Sequence, residues 1–167
     1  GGKIDGIAAE VRTTGSESWG GAIGSVVSSG SEDGILRSSF DVEHSIHSVS
    51  VQGPWRQQPG GEWAPTGGLA ESVFRSGALG SVSVSGGISD SDFDIGGSID
   101  WMQAGGEMRR TNVDAGDLTA VSVGRLGTEG GSIPCHLTDE TDEWWLGIGG
   151  EWGRIDATRN YLDVPSS

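Results

Sequence analysis

The segment Ile23-Gly-Ser-Val returns as Ile46-His-Ser-Val and again as Leu79-Gly-Ser-Val. Self-similarity of this kind constrains the fold more than any other feature. One repeat cannot bury its own apolar side, so the repeats must stack on one another. Weaker copies begin at Ile4, Ile99, Leu118, Leu137 and Ile155, and the intervals from Ile4 onward are 19, 23, 33, 20, 19, 19 and 18 residues. The long interval contains residues 54–67, which read as an insertion.

Further columns keep step with these starts. Val26, Val49, Val82, Met102 and Val121 lie three residues on, and Val51, Val84, Ala104 and Val123 lie five residues on. Gly30, Gly53, Gly86 and Gly106 follow at seven. Five or six residues before a start stands a second marker, Ser38-Ser-Phe40, Ser72-Val-Phe74, Ser91-Asp-Phe93 or Thr111-Asn-Val113. The alternation in Ser81-Val-Ser-Val84 has the period of two that belongs to a strand. If strands of successive repeats stack at strand spacing, each apolar column becomes a line of side chains in a common core. The glycines then mark corners.

These features predict an all-β, single-domain parallel β-helix over residues 1–167, with coils of about 19 residues. The loop 54–67 leaves the coil, and residues 138–167 form a divergent capping or docking region. The right-handed form is expected, because the hexapeptide period of left-handed helices is missing. A helical fold fails because glycine interrupts every candidate segment. A β-sandwich is the runner-up, but it does not explain why the same residue types recur every 19.

Composition agrees with this reading. There are 31 glycines in 167 residues, against a usual share of about 7%. Seven tryptophans and the regular Ile, Leu and Val argue against disorder. The net charge of −14 opposes nucleic-acid binding and adhesion to an anionic membrane. Cys135 is the only cysteine, so no internal disulfide staples the fold. No apolar run reaches the ~20 residues of a membrane-spanning helix. The chain starts at Gly1 without an initiator methionine, as expected of a processed product or of part of something longer.

The stretches LGSVSVSGGISDSDFDIGGSID at 79–100 and DLTAVSVGRL at 117–126 resemble the glycine-rich repeats of large bacterial surface proteins, of planctomycete or autotransporter-like type. The resemblance spans roughly residues 4–126. It implies a stalk, scaffold or adhesive surface outside the cell.

Candidate sites are few. The insertion PWRQQPGGEWAPTG places Trp55, Arg56, Gln57, Gln58 and Trp63 together. Such a set suits stacking on a sugar ring or a partner protein; the alternative is a loop that folds back over its own strand edge. Trp144, Trp145 and Trp152 either cap the core or form a subunit contact, since an open end of stacked strands must be covered. Alignment of the repeats stacks Asp92 under Asn112 and Asp94 under Asp114. Calcium would relieve the repulsion of the second pair, but the calcium-binding nonapeptide and EF-hand loops are both missing. Solvated carboxylates are the alternative. His44 and His47 would point to different faces of a strand, and with His136 they make no metal spacing. No CxxC, HExxH or GxSxG occurs, so no cofactor is implied.

The leading expectation is therefore a non-enzymatic extracellular structural protein that contacts other subunits, including copies of itself. A carbohydrate-binding or adhesion module built on Trp55 and Trp63 is the second expectation. A polysaccharide lyase or hydrolase using Asp94, Asp114 and Arg109 or Arg110 is the third.

Overall fold

A computed structural model describes residues 2–11, 21–57, 59–126, 135–139, 144–148 and 151–155, and in the last three segments only the side chain of Trp145. These residues form strands and no helix, so the chain is all-β. The strands are β1 (Ile4–Asp5), β2 (Ala8–Val11), β3 (Ala22–Ser29), β4 (Ile35–Leu36) and β5 (Ser39–Gln52). The insertion supplies β6 (Trp55–Gln57) and β7 (Trp63–Pro65). Then come β8 (Leu69–Ala70), β9 (Val73–Val84), β10 (Ile88–Ser89), β11 (Asp92–Arg109), β12 (Thr111–Leu118) and β13 (Ala120–Leu126). The last three are β14 (Cys135–Asp139), β15 (Trp144–Ile148) and β16 (Glu151–Ile155).

All but β6 and β7 belong to one 14-stranded sheet. It is parallel except where β16 runs antiparallel to β15. The sheet is curled around its apolar side. Three ladders run through it. The first joins the short strands β1, β4, β8 and β10 and then the end of β11. The second joins β2 to the first halves of β5, β9 and β11, and then β12 and β14. The third joins β3 to the second halves of β5, β9 and β11, and then β13 and β15.

The register puts like residue on like residue. Phe74 pairs with Phe93 nineteen residues on, and Phe93 with Val113 twenty on. From Phe40 to Phe74 the step is thirty-four, which is a step of twenty plus the fourteen residues of the insertion 54–67. The rings of Phe40, Phe74 and Phe93 stack with centroids 5.0 and 5.1 Å apart, nearly parallel at 13° and 8°. Offset aromatic pairs of this kind contribute about 0.5–1.5 kcal/mol beyond the area they bury. Ile46, Leu79, Ile99 and Leu118 form a second buried column, and Val49, Val82, Met102 and Val121 a third.

Three of the expected repeat starts belong elsewhere. Ile4 pairs with Ile35, not Ile23, and opens a separate buried column of Ile35, Leu69, Ile88 and Met108. Leu137 pairs with Val113 and so continues the phenylalanine column. Ile155 lies opposite Trp144 on the antiparallel β16 and is not part of a parallel repeat. A two-residue strand presents one inward side chain and then a turn, so a spacing of 19 alone cannot tell its column from the next.

The turn after β1 uses a glycine, Gly6 with φ 64°, but the equivalent turns after β4, β8, β10 and β11 use non-glycine residues. Arg37, Glu71, Asp90 and Arg110 all have positive φ, between 45° and 51°. That region costs an L-residue about 1–2 kcal/mol. Hydrogen bonds to the next repeat offset it: Arg37 N–H donates to Ala70 O (3.0 Å), Glu71 N–H to Ser89 O (3.1 Å) and Asp90 N–H to Arg109 O (3.1 Å). Immediately after stand the buried hydroxyls of Ser38, Ser72, Ser91 and Thr111. Each donates to the carbonyl two residues back, at 2.7–3.0 Å. Ser72 and Ser91 also accept the N–H of the preceding serine, at 3.2 and 3.3 Å. A polar column is thus carried inside the sheet with its groups satisfied.

Phe74 sits in the middle of the aromatic stack with no exposed surface. Phe74→Ala should destabilise the fold by about 3–5 kcal/mol, read as a shift in the midpoint of urea unfolding. A shift below about 1 kcal/mol would contradict the stacked core.

Candidate functional site

The insertion leaves the sheet at Gly53 and returns at Gly67. The two backbones touch there: a Cβ on Gly53 would stand 2.3 Å from Thr66 carbonyl atoms and 2.4 Å from Gly67 N. Only glycine permits that approach. Ser85, on the neighbouring repeat, ties the neck in place. Its hydroxyl donates to Thr66 O (2.5 Å) and accepts Gly53 N–H (3.0 Å). Thr66 N–H closes the base on Pro54 O at 2.9 Å.

Beyond the neck, β6 and β7 form an antiparallel hairpin in which Trp55 faces Pro65 and Gln57 faces Trp63. Side chains alternate along a strand, so Trp55, Gln57, Trp63 and Pro65 share one hairpin face and Arg56 takes the other. Arg56 forms an ion pair with Glu32, which holds the hairpin against the main sheet. Gln57 Nε2 donates to Gly61 O (3.1 Å) across the hairpin tip.

A groove of about 390 Å³ runs between this hairpin and the main sheet. Trp55 and Pro65 form one wall, and Gln52, Ser83, Ser85 and Gln103 face them. The opposite wall is outward because Val51, Val84 and Ala104 of the same strands point into the core. Of the five loop residues singled out in the sequence, Trp55 alone lines the groove. Trp63 shares its hairpin face further toward the tip, Arg56 and Gln57 are spent on holding the hairpin, and Gln58 lies outside the described residues. Gln52, Ser83 and Gln103 were not legible as site residues. In the sequence they are ordinary outward positions of strands, and only the register brings them to Trp55.

The acidic positions pair as the repeat alignment predicts. Asn112 Nδ2 donates to Asp92 Oδ1 at 2.9 Å. Asp94 stands in register between Arg75 and Asp114, and Arg75 Nε lies 3.6 Å from its carboxylate. That cation offsets part of the repulsion for which calcium or solvation were the two expected remedies. Among the described residues no group of three or more His, Cys, Asp or Glu is placed to hold a metal ion. Arg110 is engaged with Asp90, at 2.5 and 2.8 Å, so it does not join Asp94 and Asp114. His44 and His47 are both exposed. The alternation of β5 breaks where its register shifts between Val42 and Ser45. The side chain of His136 lies outside the described residues.

At the other end of the strand order, Trp144 and Trp145 lie on β15 and Trp152 on β16. The N–H of Trp145 donates to Thr119 O (3.1 Å), while its side chain is 49% exposed. The side chains of Trp144 and Trp152 lie outside the described residues.

No family model matches the chain, and no curated protein or solved structure matches it either.

Two ion pairs at the positive-φ corner give the fold a pH dependence. The Arg37 guanidinium, followed by the Lys3 ammonium, holds the Asp5 carboxyl below its ordinary range, and Arg110 does the same for Asp90. A carboxyl with a lowered folded-state pKa stabilises the fold above the unfolded value of about 3.9. That contribution is lost as pH falls through the lowered value. Thermal unfolding followed from neutral pH down to about pH 3 should therefore show falling stability on the acid side. Asp90→Asn should make the fall shallower. An identical acid profile for the variant would contradict the pairing.

Proposed function

We propose that the chain is a right-handed parallel β-solenoid of about 19-residue coils that serves as a rigid, non-enzymatic structural unit. It would work outside the cell or at its surface, joined to copies of itself or to other subunits. The observation that carries this reading is the parallel pairing that continues through β5, β9 and β11 into β12 and β13, with register shifts where one ladder gives way to the next. Such a ladder spends the backbone hydrogen bonds of each repeat on its neighbours and leaves little freedom to bend. Contacts confined to neighbouring repeats are what repeat scaffolds use to build length.

The surface supports the same reading. A net charge of −14 keeps such units soluble and apart laterally. Association would then fall to the ends of the strand order, where the edge strands have no further strand partner among the described residues. The exposed Trp145 on β15 is the aromatic side chain best placed to anchor such a contact. With β15 and β16, the segment around Trp144, Trp145 and Trp152 would be the docking end, and β1, β2 and β3 the opposite edge.

Electron microscopy of the purified protein across a concentration series tests this directly. Elongated particles that join end to end as concentration rises are expected, and Trp145→Ser should disperse them. Compact monomers at every concentration would contradict the proposal.

A further inference from the structure

We propose that the groove between the β6–β7 hairpin and the outer face of β9 and β11 is a binding site for a neutral oligosaccharide. The indole of Trp55 is 63% exposed although it forms a wall of the groove, so its face is available to a ligand. The hairpin holds it there by the neck at Gly53 and Gly67, the Ser85 hydroxyl and the Arg56–Glu32 ion pair. A tryptophan fixed in this way is preorganised, and little ordering cost remains to be met on binding.

The facing wall supplies the complementary chemistry. Gln52, Ser83 and Gln103 make no side-chain hydrogen bond to the described residues, so hydroxyl and carboxamide groups face the groove with donors and acceptors unspent. Sugar hydroxyls are donors and acceptors at once, and their ring carbons present an apolar face to an indole. No charged side chain lines the groove, so nothing there would compensate a uronate, sulfate or phosphate. The volume of about 390 Å³ falls in the range of small-molecule sites. Trp101 extends the surface: it precedes Gln103 by two on the outer side of β11, in register with Ser81.

A peptide is the less favoured occupant. Peptides that add to sheets use unpaired backbone, and here the strands behind the groove are paired on both sides, Ser83 with Ser50 and with Gln103. Only side chains are on offer.

Isothermal titration with cellohexaose, mannohexaose and xylohexaose, each neutral, provides the test. Trigalacturonate serves as the charged control and an unstructured Ser/Gly-rich peptide as the polypeptide control. Saturable binding of at least one neutral probe is expected, with no binding of either control. Trp55→Ala should weaken it at least about tenfold. Gln103→Ala should weaken it several-fold, and this side chain belongs to the main sheet across the groove from the hairpin and takes no part in the bonds that hold the hairpin, so its effect does not depend on the hairpin's integrity. Thermal midpoints of both variants should match the parent. Failure of all three neutral probes, preference for either control, or unchanged affinity in both variants would overturn the proposal.

Discussion

Stacking of like on like is the constraint from which the other features follow. In a parallel ladder every position has a fixed neighbour one repeat above and below, and a slip of one residue turns every inward side chain outward. The columns of Phe40, Phe74 and Phe93 and of Ile46, Leu79 and Ile99 make such a slip expensive, because an aromatic would face a small or polar partner. A core assembled this way needs only a few apolar residues per repeat. That is how a chain with 34% hydrophobic residues encloses a continuous buried cluster.

The same periodicity allows polar and strained elements to be built in once and used repeatedly. A buried hydroxyl alone would be a liability. In the Ser38, Ser72, Ser91, Thr111 column each one finds a carbonyl in its own turn, and the N–H of a neighbouring serine is satisfied as well. Positive φ at Arg37, Glu71 and Asp90 is likewise matched by hydrogen bonds to the next repeat. These corner residues carry charge, and opposite signs meet across repeats at Asp5–Arg37 and Asp90–Arg110. The insertion perturbs little of this, because it enters and leaves through adjacent backbones at Gly53 and Gly67. Its ends are already together, so closing the loop adds little conformational cost.

Much of the fold was legible from the residues, for a physical reason. The phenylalanine, Ile/Leu and Val columns lie on long strands, where alternation and repetition reinforce each other. The short-strand column was missed, because Ile35, Leu69 and Ile88 each stand alone in a two-residue strand and Met108 falls at the far end of β11 beyond its register shift, so no alternation marks the column. Ile4 was drawn into the wrong column for that reason. The reversal at β16 was not legible, since strand direction leaves no mark in apolar spacing. At the candidate groove, the tryptophans and the break in period were visible, but the partners were not. Gln52, Ser83 and Gln103 are far from Trp55 in type and two of them in sequence, and the hairpin pairing of Trp55 with Pro65 decides which wall they meet.

The central claim is the register itself, and a cross-linking experiment reads it directly. In a chain carrying Cys135→Ser, the pair Ser48→Cys and Ser81→Cys places two outward thiols on in-register neighbours. Adjacent strands lie about 4.8 Å apart, within reach of a disulfide. A second pair, Gln52→Cys with Ser81→Cys, is offset by four residues along the strand, roughly 13 Å. Mild oxidation of the folded protein should close the first pair and leave the second open. Equal closure of both, or closure of the second alone, would contradict the stacked register on which the account rests.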